Sequence, residues 1–246
     1  MAPDALFRLH EGLPRQGPGS DACTREALRR LPSLPPQPRV ADLGCGSGRP
    51  TLVLAEALGS RIVAIDIYQP YLDQLTKEAA RRGLGHLIEA RRADMASPGL
   101  PPGSLDLLWS EGAIFVLGFA EGLARWRPLL ASRGLAAVTE CSWLTDDRPD
   151  EAVRFFQSAY PAMGSVADDV ARAEAAGFEA LGHFVLPPAA WWDAYYTPLA
   201  LRLEELRSTP DPELRAIVEE TGREIELYRR HDHAYGYVFY LLRRRD

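Results

Sequence analysis

A run of nine residues constrains this chain more than any other: Val40-Ala41-Asp42-Leu43-Gly44-Cys45-Gly46-Ser47-Gly48. The apolar segment 39–43 reads as a buried strand, and it breaks at three glycines on alternate positions. A helix-forming run, 51–58, follows, and Pro50 is tolerated in its first turn because an amide there has no helical partner to lose. Strand, glycine turn and helix together make a holder for a polar ligand. The glycines let backbone approach closely, and the loop amides and the positive end of the helix are expected to face a negative group.

The spacing narrows the ligand. A dinucleotide fingerprint is Gly-x-Gly-x-x-Gly, whereas this loop is Gly-x-Gly-x-Gly with Asp42 ahead of it. A second apolar strand, 61–65, ends at Asp66, 18 residues past Gly48, the distance that a helix and a return turn require. A carboxylate at the tip of a second strand accepts hydrogen bonds from both hydroxyls of a ribose. It would repel a 2′-phosphate, which disfavours a phosphorylated nicotinamide cofactor. A third strand, 87–92, is followed by Ala93-Asp94-Met95, and a fourth, 105–109, runs into Ser110-Glu111-Gly112.

The chain has 246 residues, enough for one three-layer domain with insertions, and a formal net charge of −6. That balance argues against nucleic acid or an anionic membrane as the main partner. The basic run Arg243-Arg244-Arg245 reads as a solvated tail. Cys23, Cys45 and Cys141 are scattered, so they form neither a disulfide framework nor a metal-ligand set. The histidines lack zinc spacing, and His231-x-His233 is the nearest approach to it. No metal is expected. No apolar stretch is long enough to cross a membrane, and the acid-bearing N-terminus lacks the apolar core of a signal peptide, so a cytoplasmic location is expected. The one lysine, Lys77, falls on the exposed face of a predicted helix, which leaves no candidate for Schiff-base chemistry.

Along the chain, 1–21 is loop-rich, Ser20 or Asp21 caps a helix over 22–31, and 32–38 is a stiff proline linker. Further strands are expected at 134–140, 178–186 and 235–242, with helices near 70–82, 119–130 and 166–176. This alternation predicts a mostly parallel sheet covered on both faces. We expect a single domain over 1–246, with an N-terminal lid at 1–34. Two cap insertions, 142–165 and 187–233, leave from the carboxyl edge of the sheet, where ligands of such folds sit. The second insertion reads as helices over 190–206 and 212–230. Both insertions are rich in aromatics: Trp143, Phe155, Phe156 and Tyr160 in one, Trp191, Trp192, Tyr195 and Tyr196 in the other. Such walls suit an aromatic or amine-bearing small molecule.

The glycine loop with Asp42 resembles motif I of the class I S-adenosylmethionine-dependent methyltransferases, and with Asp66 and Asp94-Met95 the likeness covers roughly 35–141. Segments 15–20, 109–114, 140–143 and 146–149 are similar to a bacterial small-molecule group loosely related to the ubiquinone/menaquinone-biosynthesis methyltransferases. Arg49-Pro50 departs from the glycine that relatives often carry there. The resemblance implies a Rossmann-like three-layer sandwich with a seven-stranded sheet in order 3-2-1-4-5-7-6, strand 7 antiparallel. It implies S-adenosylmethionine as cofactor and S-adenosylhomocysteine as product. It also implies a cofactor set of Asp42, Gly44, Cys45, Gly46, Ser47, Gly48, Asp66, Ile67, Asp94, Met95 and Ser110. Ser110-Glu111-Gly112-Ala113 is unlike the Pro-Pro-aromatic motif of DNA amino methyltransferases, and the acids lack the spacing of a divalent-metal catechol enzyme. The expected chemistry is in-line methyl transfer to a nitrogen, oxygen or carbon of a small acceptor. Glu111 and Glu140 are the candidate catalytic acids, Arg15 a candidate partner for the cofactor carboxylate, and His231 and His233 further candidate bases. A non-catalytic cofactor-binding protein and a nicotinamide oxidoreductase are the competing classes. Monomer and homodimer remain equally open.

Overall fold

The computed structural model describes residues 3–246. Seven strands form one sheet: β1 (Val40–Leu43), β2 (Ile62–Asp66), β3 (Ile88–Arg92), β4 (Leu105–Ser110), β5 (Leu130–Trp143), β6 (Phe178–Val185) and β7 (Tyr235–Arg244). Their order is 3-2-1-4-5-7-6. Only β7 runs against its neighbours, pairing antiparallel with both β5 and β6. The central strands β1 and β4 are buried on both faces, as a sheet covered by helices requires: all four residues of β1 and five of six in β4 are buried.

The helices are α1 (Pro3–His10), α2 (Asp21–Arg30), α3 (Arg49–Leu58), α4 (Gln69–Arg81), α5 (Phe119–Trp126), α6 (Asp150–Ala159), α7 (Val166–Ala175), α8 (Pro188–Trp191), α9 (Thr197–Leu206) and α10 (Pro212–His231). In α4 the buried residues Tyr71, Leu72, Leu75 and Ala79 recur at helical spacing and pack on β2 and β3. In α10 the buried stripe runs through Leu214, Ile217, Thr221, Ile225 and Tyr228 and turns toward α1, α6 and α9.

Four expectations need correction. The N-terminal region is not all loop: Ala5 and Leu9 are buried on one side of α1, which gives it a docking face on α9 and α10. Residues 1 and 2 of that region lie outside the described residues. The helix expected over 190–206 is interrupted by a π-helical turn, Trp192–Tyr196, which joins α8 to α9. The helix expected over 119–130 stops at Trp126, because Pro128 tightens the chain into a short 3₁₀ turn. The terminal arginines are not a solvated tail: Arg243 and Arg244 close β7, Arg243 pairs with Glu179 at 3.1 Å, and Arg245 reaches Glu174 at 3.3 Å.

Candidate functional site

A cavity of about 650 Å³ opens at the carboxyl ends of β1, β2, β4 and β5. Its floor is the turn after β1. Its walls come from the strap 15–18, from α1 and from the two cap segments. Every glycine of the turn takes a positive φ: 71° at Gly44, 54° at Gly46 and 77° at Gly48. Side chains are also barred sterically. A Cβ on Gly44 would lie 2.4 Å from that of Ala113, and one on Gly46 would lie 2.5 Å from Gln16 Oε1.

The loop amides are not left free for an anionic ligand, contrary to expectation, because the protein uses all of them, one on the Asp66 carboxylate. Gly44 N and Cys45 N donate to Ile65 O, at 2.8 and 3.0 Å, and Gly48 N donates to Cys45 O at 2.9 Å. Gly46 N donates to Asp66 Oδ2 at 2.8 Å, and Ser47 N to Gln16 Oε1 at 2.7 Å. A phosphate-cradling loop leaves such donors free. This one serves close approach and places the Asp66 carboxylate.

Asp66 also accepts from Tyr68 N at 2.9 Å, so each of its oxygens holds one backbone donor and keeps a lone pair for a ligand. Burial pushes its carboxyl up from the usual range, and the backbone amides counter that. Asp42 lies beneath the turn, fully buried. Its Oδ2 accepts from the Thr51 hydroxyl at 2.6 Å, and its Oδ1 has no protein partner. Burial pushes its carboxyl up to about 7, against the pull of Thr51. Cys45, Ile67, Asp94 and Met95 line the cavity as well. Asp94 Oδ1 accepts from Ala96 N at 2.8 Å, and Met95 O accepts from Trp126 Nε1 at 2.8 Å, which holds this turn in place. Ser47, Gly48 and Ser110 stand behind the lining. Gly48 caps α3, and Ser110 Oγ ties β4 to β1 through Leu43 O at 2.8 Å.

Glu111 reaches the cavity with both oxygens engaged. Oε2 pairs with Arg15 at 3.0 Å, while Oε1 accepts from the Thr24 hydroxyl at 2.6 Å and from Trp109 Nε1 at 2.9 Å. The ion pair is buried, at 5% exposure for Arg15 and 3% for Glu111. Arg15 also reaches Asp21, at 3.3 Å, and Asp21 holds Arg49 through two contacts of 2.7 and 2.8 Å. This network fastens strap 15–18 across the mouth of the site.

Glu140 is not brought to the cavity. Successive side chains of a strand point to opposite faces, and Cys141 takes the cavity side of β5. Glu140 Oε1 accepts from Cys141 N at 2.8 Å, while Oε2 is buried without a hydrogen-bond partner. Burial, reinforced by the charge of Asp169, pushes its carboxyl up to about 8. An acid whose folded-state affinity for a proton is raised stabilises the fold at low pH and loses that contribution as pH climbs through the raised value. Glu140 should therefore make stability fall between about pH 4.5 and 8, by at most about 1.4 kcal/mol per pH unit. Glu140→Gln is expected to flatten that fall. Melting curves at pH 5, 6.5 and 8 that match wild type would refute it. His231 is also away from the cavity, pairing with Glu151 at 3.1 Å, and His233 stands beside it with ring centroids 6.3 Å apart.

The far end of the cavity is lined by Phe155, Phe156 and Tyr160 on one side and by Trp191, Tyr195, Tyr235 and Tyr237 on the other. Trp143, Trp192 and Tyr196 pack behind this wall rather than on it. Two functional residues were passed over in the sequence. Gln16 closes the glycine turn from above, and no local pattern marks it. Glu224 lines the far end from α10, and its mark was legible: it is an acid falling beside the helix's buried stripe, three residues after Thr221 and four before Tyr228. Among the described residues no cluster of His, Cys, Asp or Glu is arranged to hold a metal ion, and no helix is long and apolar enough to cross a membrane.

Known proteins share this arrangement. A family profile described as a methyltransferase domain matches residues 40–134. The nocamycin O-methyltransferase of Saccharothrix syringae is 33% identical over 150 residues, 59% of this chain and 51% of that protein. An aklanonic acid methyltransferase of Streptomyces sp. (strain C5) is 36% identical over 104 residues, 41% of this chain and 47% of its own length. The chain thus spans about half the length of the curated relatives it matches. A S-adenosylmethionine-dependent methyltransferase from Geobacter sulfurreducens, solved with S-adenosyl-L-homocysteine, superposes with a TM-score of 0.82 over 99% of this chain and 98% of that one, at 20% identity. Residues 40–134 thus match a methyltransferase domain, and the chain as a whole shares its sheet order and fold with a methyltransferase structure.

Proposed function

We propose that the protein transfers a methyl group from S-adenosylmethionine to a small-molecule acceptor. The observation that carries this reading is Asp66: a buried carboxylate at the tip of β2, held by two backbone amides, with a lone pair left on each oxygen toward the cavity. The residues fit an adenosyl sulfonium. Asp66 takes the ribose hydroxyls, Asp94 and the Met95 amide take the adenine edge, and the turn at Gly44 and Gly46 permits close approach. Asp42 Oδ1, buried and unpartnered beneath the turn, adds negative potential under the amino-acid part. The bound cofactor supplies an electrophilic methyl carbon on a positively charged sulfur.

What remains for the chain is alignment and exclusion of water, which together supply several kcal/mol, up to roughly 7–11 in favourable cases. The strap 15–18, locked by Arg15 to Glu111 and by Gln16 to Ser47 N, closes the cofactor end. In this reading Glu111 orients the site through Arg15. Its three donors hold both of its oxygens in place. The aromatic far end receives the acceptor. The nocamycin and aklanonic acid methyltransferases act on small molecules, as their names say, and that supports the substrate class. The three cysteines are free and buried, which suits the reducing cytoplasm.

Calorimetric titration tests the reading. S-adenosylmethionine and S-adenosylhomocysteine are expected to bind at micromolar concentration and NADH not at all. Failure of both adenosyl ligands to bind the folded protein would overturn it.

A further inference from the structure

The far end of the cavity holds a buried carboxyl that pairs with no cation of the protein among the described residues. Glu224, on α10, lines the cavity and accepts from the fully buried Tyr196 hydroxyl at 2.8 Å. Burial pushes the Glu224 carboxyl up from the usual range, and the Tyr196 hydrogen bond counters that. Neither Glu224 nor Glu220, one helical turn earlier on the same wall, forms an ion pair among the described residues. A buried carboxylate without a cation is costly unless something completes it.

The surroundings offer no protein cation. Three basic side chains line the cavity: Arg15, Arg49 and His10. Both arginines are committed to acids of the strap network. His10 is held neutral by burial and is bonded to Leu6 O and Tyr195. Around Glu224 stand instead the hydroxyls of Tyr195, Tyr235 and Tyr237 and the Cys141 thiol, all close enough to feel its charge.

Two further groups on this wall lack partners. Trp191 is 3% exposed and its Nε1 is unpaired, and Tyr235 is 1% exposed and its hydroxyl is unpaired. Both residues line the cavity. Buried donors of this kind are nearly always satisfied in a folded protein, so they point to a ligand that brings hydrogen-bonding atoms. The aromatic faces suit a cation and an apolar body equally. An anionic ligand would meet two carboxylates, and a neutral one would leave Glu224 uncompensated.

We propose that this end of the cavity is an ammonium subsite: the acceptor carries an ammonium group on an apolar body, that group anchoring it on Glu224 within the wall of Trp191, Tyr195, Tyr235 and Tyr237 while a different, unprotonated atom of the acceptor takes the methyl group. The inference rests on reading the cavity as a methyltransferase acceptor site. It adds the acceptor's chemical class and the residue that selects it.

The test uses three probes of matched size and different charge: 2-phenylethylamine, 2-phenylethanol and 3-phenylpropanoate. Each is titrated into the full chain at pH 7, with and without saturating S-adenosylhomocysteine, and followed by ligand-observed NMR. The amine is expected to bind at least tenfold more tightly than the alcohol, and the carboxylate not at all. Glu224→Gln keeps an acceptor for Tyr196 and is expected to erase the amine's advantage while S-adenosylhomocysteine affinity stays within twofold. An alcohol that binds as well as the amine to wild type overturns the subsite, and this comparison needs no variant to fold. So does a Gln variant that keeps the amine's margin. If S-adenosylhomocysteine binds and the margin is absent, the subsite fails and the methyltransferase reading stands. If the margin is present and S-adenosylhomocysteine does not bind, the reverse holds.

Discussion

Replacing Asp66 by alanine is expected to weaken S-adenosylmethionine binding by about a hundredfold or more, since two hydrogen bonds to a charged acceptor are worth about 1.5–3 kcal/mol each. The loss has a second source within the protein. Asp66 is also the partner of Gly46 N and Tyr68 N, so the alanine leaves two amides to find other acceptors and loosens the turn that the cofactor lies on. Some fall in thermal stability should accompany the loss of affinity. Calorimetry and a melting curve on the same preparation separate the two effects. Wild-type affinity in a folded Asp66→Ala protein would refute the ribose assignment.

Removing Arg15 is expected to have the largest effect on stability. Its guanidinium and the Glu111 carboxylate are both almost wholly enclosed, and breaking a buried pair on one side costs about 3–5 kcal/mol because the other charge is stranded. Thr24 and Trp109 still donate to Glu111, which places Arg15→Ala toward the lower end of that range. Glu111→Gln combined with Arg15→Ala should cost less than the two single changes added together, because the double variant strands no charge. Denaturant unfolding of the four proteins measures this coupling. Strict additivity would mean that the pair contributes nothing of its own. Arg15→Ala should also loosen strap 15–18 and remove a cation that lines the cavity, so the affinity of the variant for S-adenosylhomocysteine should fall.

The sheet was legible because its signals are local. The apolar runs that became β1, β2 and β4, and the glycines and acids that end them, carry register and order within about seventy residues. Element boundaries drifted where tertiary contacts overrode propensity. Strand β5 extends to Trp143 because β7 pairs with it as far as Tyr235, which no property of 141–143 announces. The helix over 190–206 breaks into a π-helical turn, and that turn brings Tyr195 into the cavity while Tyr196 packs behind it to bond Glu224.

The site divides the same way. The cofactor end follows from motif spacing, because each of its acids sits at the end of a strand whose place is set by the topology. The roles of Glu111 and Glu140 did not follow. Both read as free carboxylates at strand ends. One is consumed by Arg15, Thr24 and Trp109, and the other is turned to the far face of β5. Whether a carboxylate can act depends on which donors reach it, and those donors lie up to 96 residues away in the chain.

By itself, the sequence marked the alternating α/β class and the acids that end its strands, since both are written in the alternation and punctuation of neighbouring residues, while the strand order came from the resemblance to a known family. Only the tertiary structure decided that the loop amides are spent on the protein, that Gln16 and Arg15 seal the strap, and that Glu224 stands uncompensated among aromatics. Those are properties of distance and desolvation between segments remote in sequence, and they come into being only when the chain is packed.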